Sequence, residues 1–95
     1  MLILQEQNGT DGSFFIEKAN RKVAQINYTI SADNTLTIEH TIVDEDLQGN
    51  NLGFDLVEKV VEYARQKQFK VFPECSFAKA VFDKEPSFVD VLAGN

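Results

Sequence analysis

The segment from Thr35 to Lys67 constrains the fold most, because a strand pattern there runs through a polar turn into a helix pattern. From Thr35 to Val43 the side chains alternate, which predicts a strand with two distinct faces. One predicted face combines apolar residues with a histidine: Leu36, Ile38, His40 and Ile42. After the turn, apolar residues recur at helical spacing: Leu56, Val57, Val60, Val61 and Ala64. We therefore expect a strand followed by a helix from Asn50 or Asn51 to Gln68.

The turn between them, Gln48–Gly53 (QGNNLG), is polar and carries two glycines. The first N–H groups of a helix have no partner within the helix, and the helix dipole adds partial positive charge at that end. A strand that enters a helix through such a turn presents these N–H groups to an anion. The turn therefore predicts a site for a phosphate or pyrophosphate group. The alternative is an ordinary helix start whose glycines allow close packing.

The rest of the chain predicts more strands and a second helix. Three strand patterns precede Thr35, over Met1–Gln7, Ser13–Lys18 and Val23–Ser31, and polar turns separate them. After the long helix come a short strand at Phe69–Phe72, a helix at Phe77–Lys84 and a last helical turn at Ser87–Leu92. The fold class is α/β (α+β): one domain over residues 1–95, with a mixed sheet built from an antiparallel meander, one βαβ unit and a short C-terminal helix. We expect four phenylalanines in the core: Phe14, Phe15, Phe69 and Phe72.

Charge and composition limit the partners of the chain. The net charge is −6 and the isoelectric point is near 4.6, which argues against nucleic acid or an anionic membrane surface as a partner. No apolar run approaches the ~20 residues of a membrane span, and the N-terminus has no signal-peptide pattern. We expect a cytoplasmic protein. The single cysteine, Cys75, excludes an internal disulfide and a cysteine-cluster metal site, and no metal is predicted.

The helix-opening turn resembles the acetyl-CoA pyrophosphate loop of the GNAT N-acetyltransferases, whose pattern is Gln/Arg-x-x-Gly-x-Gly/Ala. Gln48 matches the first position and Gly53 the last, while Asn51 stands where the first glycine is expected. Asparagine is the next best residue after glycine for a positive φ angle. The resemblance implies binding of acetyl-CoA through the loop: Gln48, Gly49, Asn50, Asn51, Leu52 and Gly53. It also implies that the strand end, Thr41, Ile42 and Val43, lends backbone groups to the pantetheine arm.

A narrower resemblance covers most of the chain, to the minimal GNAT-like proteins of about this length. They share an Ile-x-His-Thr-x-Val strand (here Ile38–Val43), a Pro-x-Cys-Ser segment ending in an aromatic or small residue (here Pro73–Phe77), and a Pro-x-aromatic-x-Asp tail (here Pro86–Leu92). These minimal members lack the later strands that usually close the acceptor pocket. The resemblance therefore implies a GNAT-like fold whose acceptor is undefined.

Two side chains are candidates for catalysis. Cys75 precedes a predicted helix, whose dipole favours the thiolate, and it would accept an acetyl group as a thioester. His40 is the only histidine, and a histidine suits proton transfer near neutral pH. The alternatives are a small buried cysteine and a half-buried histidine with one hydrogen bond.

The preferred function is acetyl transfer from acetyl-CoA to an unidentified amine, with an acetyl-cysteine intermediate on Cys75. One alternative is a non-catalytic module that binds or senses acyl-CoA. A weaker alternative is a protein–protein adaptor with an unoccupied loop.

Overall fold

The computed structural model describes residues 2–94, and it confirms the mixed fold class. It contains five strands, two α-helices and two 3₁₀ helices: β1 (Leu4–Asn8), β2 (Asp11–Lys18), β3 (Arg21–Ile30), β4 (Thr35–Val43), a 3₁₀ helix (Glu45–Leu47), α1 (Leu52–Lys67), β5 (Lys70–Pro73), α2 (Ser76–Lys84) and a second 3₁₀ helix (Pro86–Val91). The strand order in the sheet is β1-β2-β3-β4-β5. The first four strands pair antiparallel, and β5 runs parallel to β4. The meander and the βαβ unit are therefore both present.

Both α-helices pack on one face of the sheet, where they form the core. The apolar stripe of α1 is buried against the central strands, with Val57, Val60 and Val61 at 0% exposure. Its strand partners include Ile26, Leu36, Ile38 and Val71, which are equally buried. No described helix is long and apolar enough to cross a membrane.

A β-bulge divides β4, and it corrects the predicted face of His40. Asn27 pairs with His40, but the next residue of β3, Tyr28, pairs with Ile38, so Glu39 has no partner opposite it. An extra residue in one strand reverses the side-chain alternation beyond it. Leu36 and Ile38 are therefore buried, whereas His40 is exposed on the opposite face. The prediction that these side chains share one face is wrong beyond the bulge.

Ile42 follows His40 onto the other face and is 56% exposed. Thr41 takes the core-side position instead, because it lies opposite the fully buried Ile26. Phe72 is 49% exposed, so its predicted place in the core is also wrong. Its register partner is Thr37, whose side chain lies on the same open face of the sheet.

The C-terminal segment is tied to α1 and to β5. Arg65 grips the Asp90 carboxylate with two hydrogen bonds of 2.9 Å and donates a third to the backbone oxygen of Ser87. The Ala93 N–H donates to the Val71 oxygen, so the chain end covers part of the outer edge of β5. The segment thereby occupies an edge that a further strand would otherwise pair with.

Candidate active site

A cleft of about 520 Å³ opens where the second half of β4, the start of α1 and the start of α2 meet. Its lining residues come from these three elements and the turn between them: Thr41, Val43, Leu47, Gln48, Gly49, Asn51, Leu52, Gly53, Phe54, Phe77 and Val81. Most residues predicted for acetyl-CoA binding therefore lie together on one concave surface.

Two of the predicted binding residues are not in the cleft lining. The Ile42 side chain lies on the opposite face of the sheet, as the bulge requires. Asn50 is exposed, and its amide donates to the Leu47 oxygen over 3.2 Å. The Asn50 side chain therefore stabilises the turn from its solvent-exposed side.

The strand edge along the cleft carries backbone groups that no described neighbouring strand pairs with. The Asp44 N–H donates to the Val23 oxygen, toward β3, over 2.8 Å. Because backbone groups alternate between the two edges of a strand, Val43 and Thr41 direct theirs to the other edge. β5 pairs with β4 only as far as Ile38, so it leaves this edge open. The Gln48 amide donates to the Val43 oxygen over 3.3 Å and joins the turn to the strand.

The start of α1 is open to the cleft. Asn51 is the N-cap residue, with φ 61° and ψ 20°, and its side chain makes no capping hydrogen bond. The first helical bond runs from the Asp55 N–H to the Asn51 oxygen, so the N–H groups of Leu52, Gly53 and Phe54 precede the helical ladder. These N–H groups form the positive end of the α1 dipole, and they line the same cleft as the edge of β4 at Thr41 and Val43.

Gly53 allows the aromatic ring of Phe77 to approach α1 closely. A Cβ atom at Gly53 would lie 2.6 Å from the Phe77 Cζ, which is too close for any real contact. Phe77 is 43% exposed, so its ring has room to move away. Sequence reasoning missed Phe77 and Val81 as site residues, although their i, i+4 spacing at the start of α2 was a usable signal.

Cys75 is the N-cap residue of α2 and lies beside the cleft. Its Sγ is 3.5 Å from the Oγ1 of Thr41, a lining residue. Partial burial raises the pKa of this thiol, but the Thr41 hydroxyl and the nearby backbone N–H groups of Ala78, Phe77 and Thr41 together outweigh that effect. The net pKa of Cys75 is lowered from its ordinary value. The thiol makes no regular capping bond, so the helix amides act as nearby dipoles.

His40 is not part of this arrangement. It pairs with Asn27 on the open face of the sheet, whereas Thr41 points to the side of Cys75. Among the described residues, no group of three or more metal-ligand side chains is positioned to hold a metal ion. The candidate site thus combines a largely apolar lining with the backbone N–H groups at the start of α1, the Thr41 hydroxyl and the nearby Cys75 thiol.

The sequence pattern of the GCN5-related N-acetyl-transferase family matches residues 13–91. A GCN5-like protein of Staphylococcus aureus, assigned to the N-acetyltransferases, is 35% identical, with a TM-score of 0.75; the match covers 97% of this chain and 89% of that one. The chain thus belongs to the GCN5-related N-acetyltransferase family. No curated protein sequence matches it.

Larger proteins share the fold at lower identity. The ribosomal-protein-S18-alanine N-acetyltransferase of Escherichia coli is 18% identical with a TM-score of 0.67, over 82% of this chain and 53% of that one. An acetyltransferase of Clostridium acetobutylicum, whose structure holds acetyl-CoA, is 14% identical with a TM-score of 0.64, over 79% of this chain and 56% of that one. This chain therefore spans about half the length of these larger proteins.

Proposed function

We propose that the chain is an acetyl-CoA-dependent N-acetyltransferase. The observation that carries the proposal is the open start of α1, which faces the same cleft as the edge of β4 that β5 leaves unpaired. The amides from Gly49 to Phe54 would hold the pyrophosphate, and the edge at Thr41 and Val43 would bind the pantetheine arm. This arrangement runs along the cleft toward Thr41, and Thr41 contacts Cys75.

The proposed chemistry has two balanced steps. The Cys75 thiolate attacks the thioester carbonyl carbon of acetyl-CoA; a new carbon–sulfur bond forms, and the bond to the CoA sulfur breaks. CoA leaves as a thiolate and takes up a proton. An amine then attacks the acetyl-cysteine, the bond to Cys75 breaks, and the amine loses a proton. The first step exchanges one thioester for another, so little driving force is needed.

Our proposed mechanism gives His40 no step. A catalytic role for His40 stays a prediction, but its side chain lies on the face of the sheet opposite to Thr41. The proposal includes an amine acceptor and a cytoplasmic location. It includes no nucleic-acid or anionic membrane partner, because a net charge of −6 disfavours binding to polyanions.

A second candidate is a non-catalytic module that binds acyl-CoA. The C-terminal segment, through Leu92 and Ala93, occupies the outer edge of β5. The E. coli N-acetyltransferase that shares the fold is a longer protein, since the match covers 53% of its chain. A chain without an acceptor pocket would bind acetyl-CoA without transferring the acetyl group to an amine.

Incubation with acetyl-CoA, followed by intact-mass measurement, tests the proposal. We expect one added acetyl group in the wild type and none in Cys75→Ala, while both variants gain thermal stability from CoA because a ligand of the native state stabilises it. Pantetheine, which lacks the pyrophosphate, should stabilise far less. Binding without acetylation or transfer to amines would favour the non-catalytic module, and no stabilisation by CoA would contradict both candidates.

A further inference from the structure

We propose that Thr41 is a positioning residue for Cys75: its hydroxyl hydrogen-bonds the sulfur in both the thiol and the thiolate form. The inference rests on the proposed function, and it concerns a residue for which only a backbone role was predicted. It assigns to the Thr41 side chain the contact with Cys75, whereas His40, the residue predicted for proton transfer, lies on the opposite face of the sheet.

The bulge at Glu39 creates this pair. With unbroken alternation, Thr41 would lie on the face opposite to Ile38; with the extra residue, it lies on the same side as Ile38. Ile38 also fixes the start of the Cys75 segment, because its backbone oxygen accepts hydrogen bonds of 3.1 Å from the N–H groups of Glu74 and Cys75. Both partners are thus held by the backbone at the point where β4 and β5 separate.

A threonine hydroxyl suits both protonation states of a thiol. In the neutral pair, the Cys75 thiol donates to the Thr41 Oγ1 across 3.5 Å. When the thiol loses its proton, the hydroxyl hydrogen rotates and donates to the sulfur, because a hydroxyl is both donor and acceptor. Hydrogen bonds to charged groups are the stronger class, so the contact favours the thiolate.

The charges of neighbouring side chains do not account for the lowered pKa of Cys75. The elements that meet at Cys75 carry these ionisable side chains near it in the chain or the sheet register: Glu39 and His40 on β4, Glu74 before Cys75, Lys70 on β5 and Lys79 on α2. None of them contributes to the lowered pKa of Cys75, which arises from Thr41 and the helix-start amides against the opposing effect of burial. Thr41 is the only side chain among these contributors, so substitution can remove its part alone.

The test is the pH profile of Cys75 alkylation by iodoacetamide in the absence of acetyl-CoA. Thr41→Val keeps the shape of the side chain but has no hydroxyl, so we expect its profile to move to higher pH. Its rate near neutral pH should fall about three- to tenfold, as the loss of a hydrogen bond to a charged group predicts. Thr41→Ser should restore most of the rate, and Thr41→Ala should match Thr41→Val. The matched control is Thr37→Val, on the same strand but on the open face.

A Thr41→Val profile that superposes on the wild type would overturn the proposal. So would a Thr41→Ser variant as slow as Thr41→Val, since that result would assign the effect to packing. Acetylation of Cys75 by acetyl-CoA, followed by intact mass, should slow in the same order as alkylation. A wild-type chain that is alkylated but never acetylated would contradict the proposed acetyl-cysteine step, while the alkylation profiles would still decide the role of Thr41.

Discussion

The two halves of β4 do different work, although they belong to one nine-residue strand. The first half, Thr35–Ile38, pairs with β3 on one side and with β5 on the other. The second half, His40–Val43, pairs with β3 alone, and its other edge faces the cleft. The first half therefore builds the core, and the second half builds the candidate site.

The single extra residue between the halves makes this division possible. Glu39 shifts the register against β3 and reverses the alternation of the side chains. Thr41 and Val43 then face the cleft side, while Ile42 is left on the open face of the sheet. A substitution in one half should consequently change stability, and a substitution in the other half or in the adjoining turn should change binding.

The largest expected effect separates two isoleucines of β4. Ile38 is 0% exposed, so Ile38→Ala should cost about 2–5 kcal/mol of unfolding free energy through lost burial and the cavity left behind. Ile42 is 56% exposed, so the same substitution there should cost less than about 1 kcal/mol. Urea denaturation of both variants measures the difference. Equal losses would place both side chains in the core and contradict the bulge.

The order of elements and the position of the turn before α1 could be predicted from the sequence, because local patterns determine them. Helical periodicity marked α1, and polar residues with glycines marked the turn before it. The expectation that Asn51 adopts a positive φ angle is confirmed by its φ of 61°. These features depend on neighbours within a few residues along the chain.

The bulge and the contact it creates could not be predicted in this way. The alternation from Leu36 to Ile42 continues through Glu39 without a break, so it gave no sign of the extra residue. The register is set by pairing with Asn27 and Tyr28 on another strand. The contact between Thr41 and Cys75 joins residues 34 positions apart and depends on that register. Nonlocal pairing decided which side chain lies beside the thiol.

The second-largest expected effect is a loss of CoA affinity caused by a substitution in the cleft, at Gly53. Gly53→Val should weaken CoA binding about ten- to a hundredfold, because the branched side chain would occupy the approach to the open amides of α1. The fold should survive, since the atoms that the new Cβ would meet belong to the ring of Phe77, which is 43% exposed. Calorimetric titration with CoA measures the affinity, and Ala80→Val on an exposed position of α2 is the control.

The double variant Gly53→Val/Phe77→Ala identifies the cause of that loss. If the valine acts by pushing the Phe77 ring into the cleft, removal of the ring should restore most of the affinity. If the valine blocks the pyrophosphate directly, the double variant should bind as weakly as Gly53→Val. Unchanged affinity in Gly53→Val itself would remove the helix start from the binding site.

The smallest expected effect concerns His40, the residue whose face the bulge changes. His40→Gln should leave CoA affinity and the pH profile of Cys75 alkylation within about twofold of the wild type, because substitutions away from a site have small effects. The exposed side chain of His40 lies on the face of the sheet that Thr41 does not share, and His40 is not among the groups that shift the pKa of Cys75. A large loss of alkylation near neutral pH in His40→Gln, with Thr41→Val unaffected, would show that the histidine acts on the thiol after all. The comparison between the two halves of β4 would then be wrong for the second half, because a side chain on the open face of the sheet would act on the cleft side.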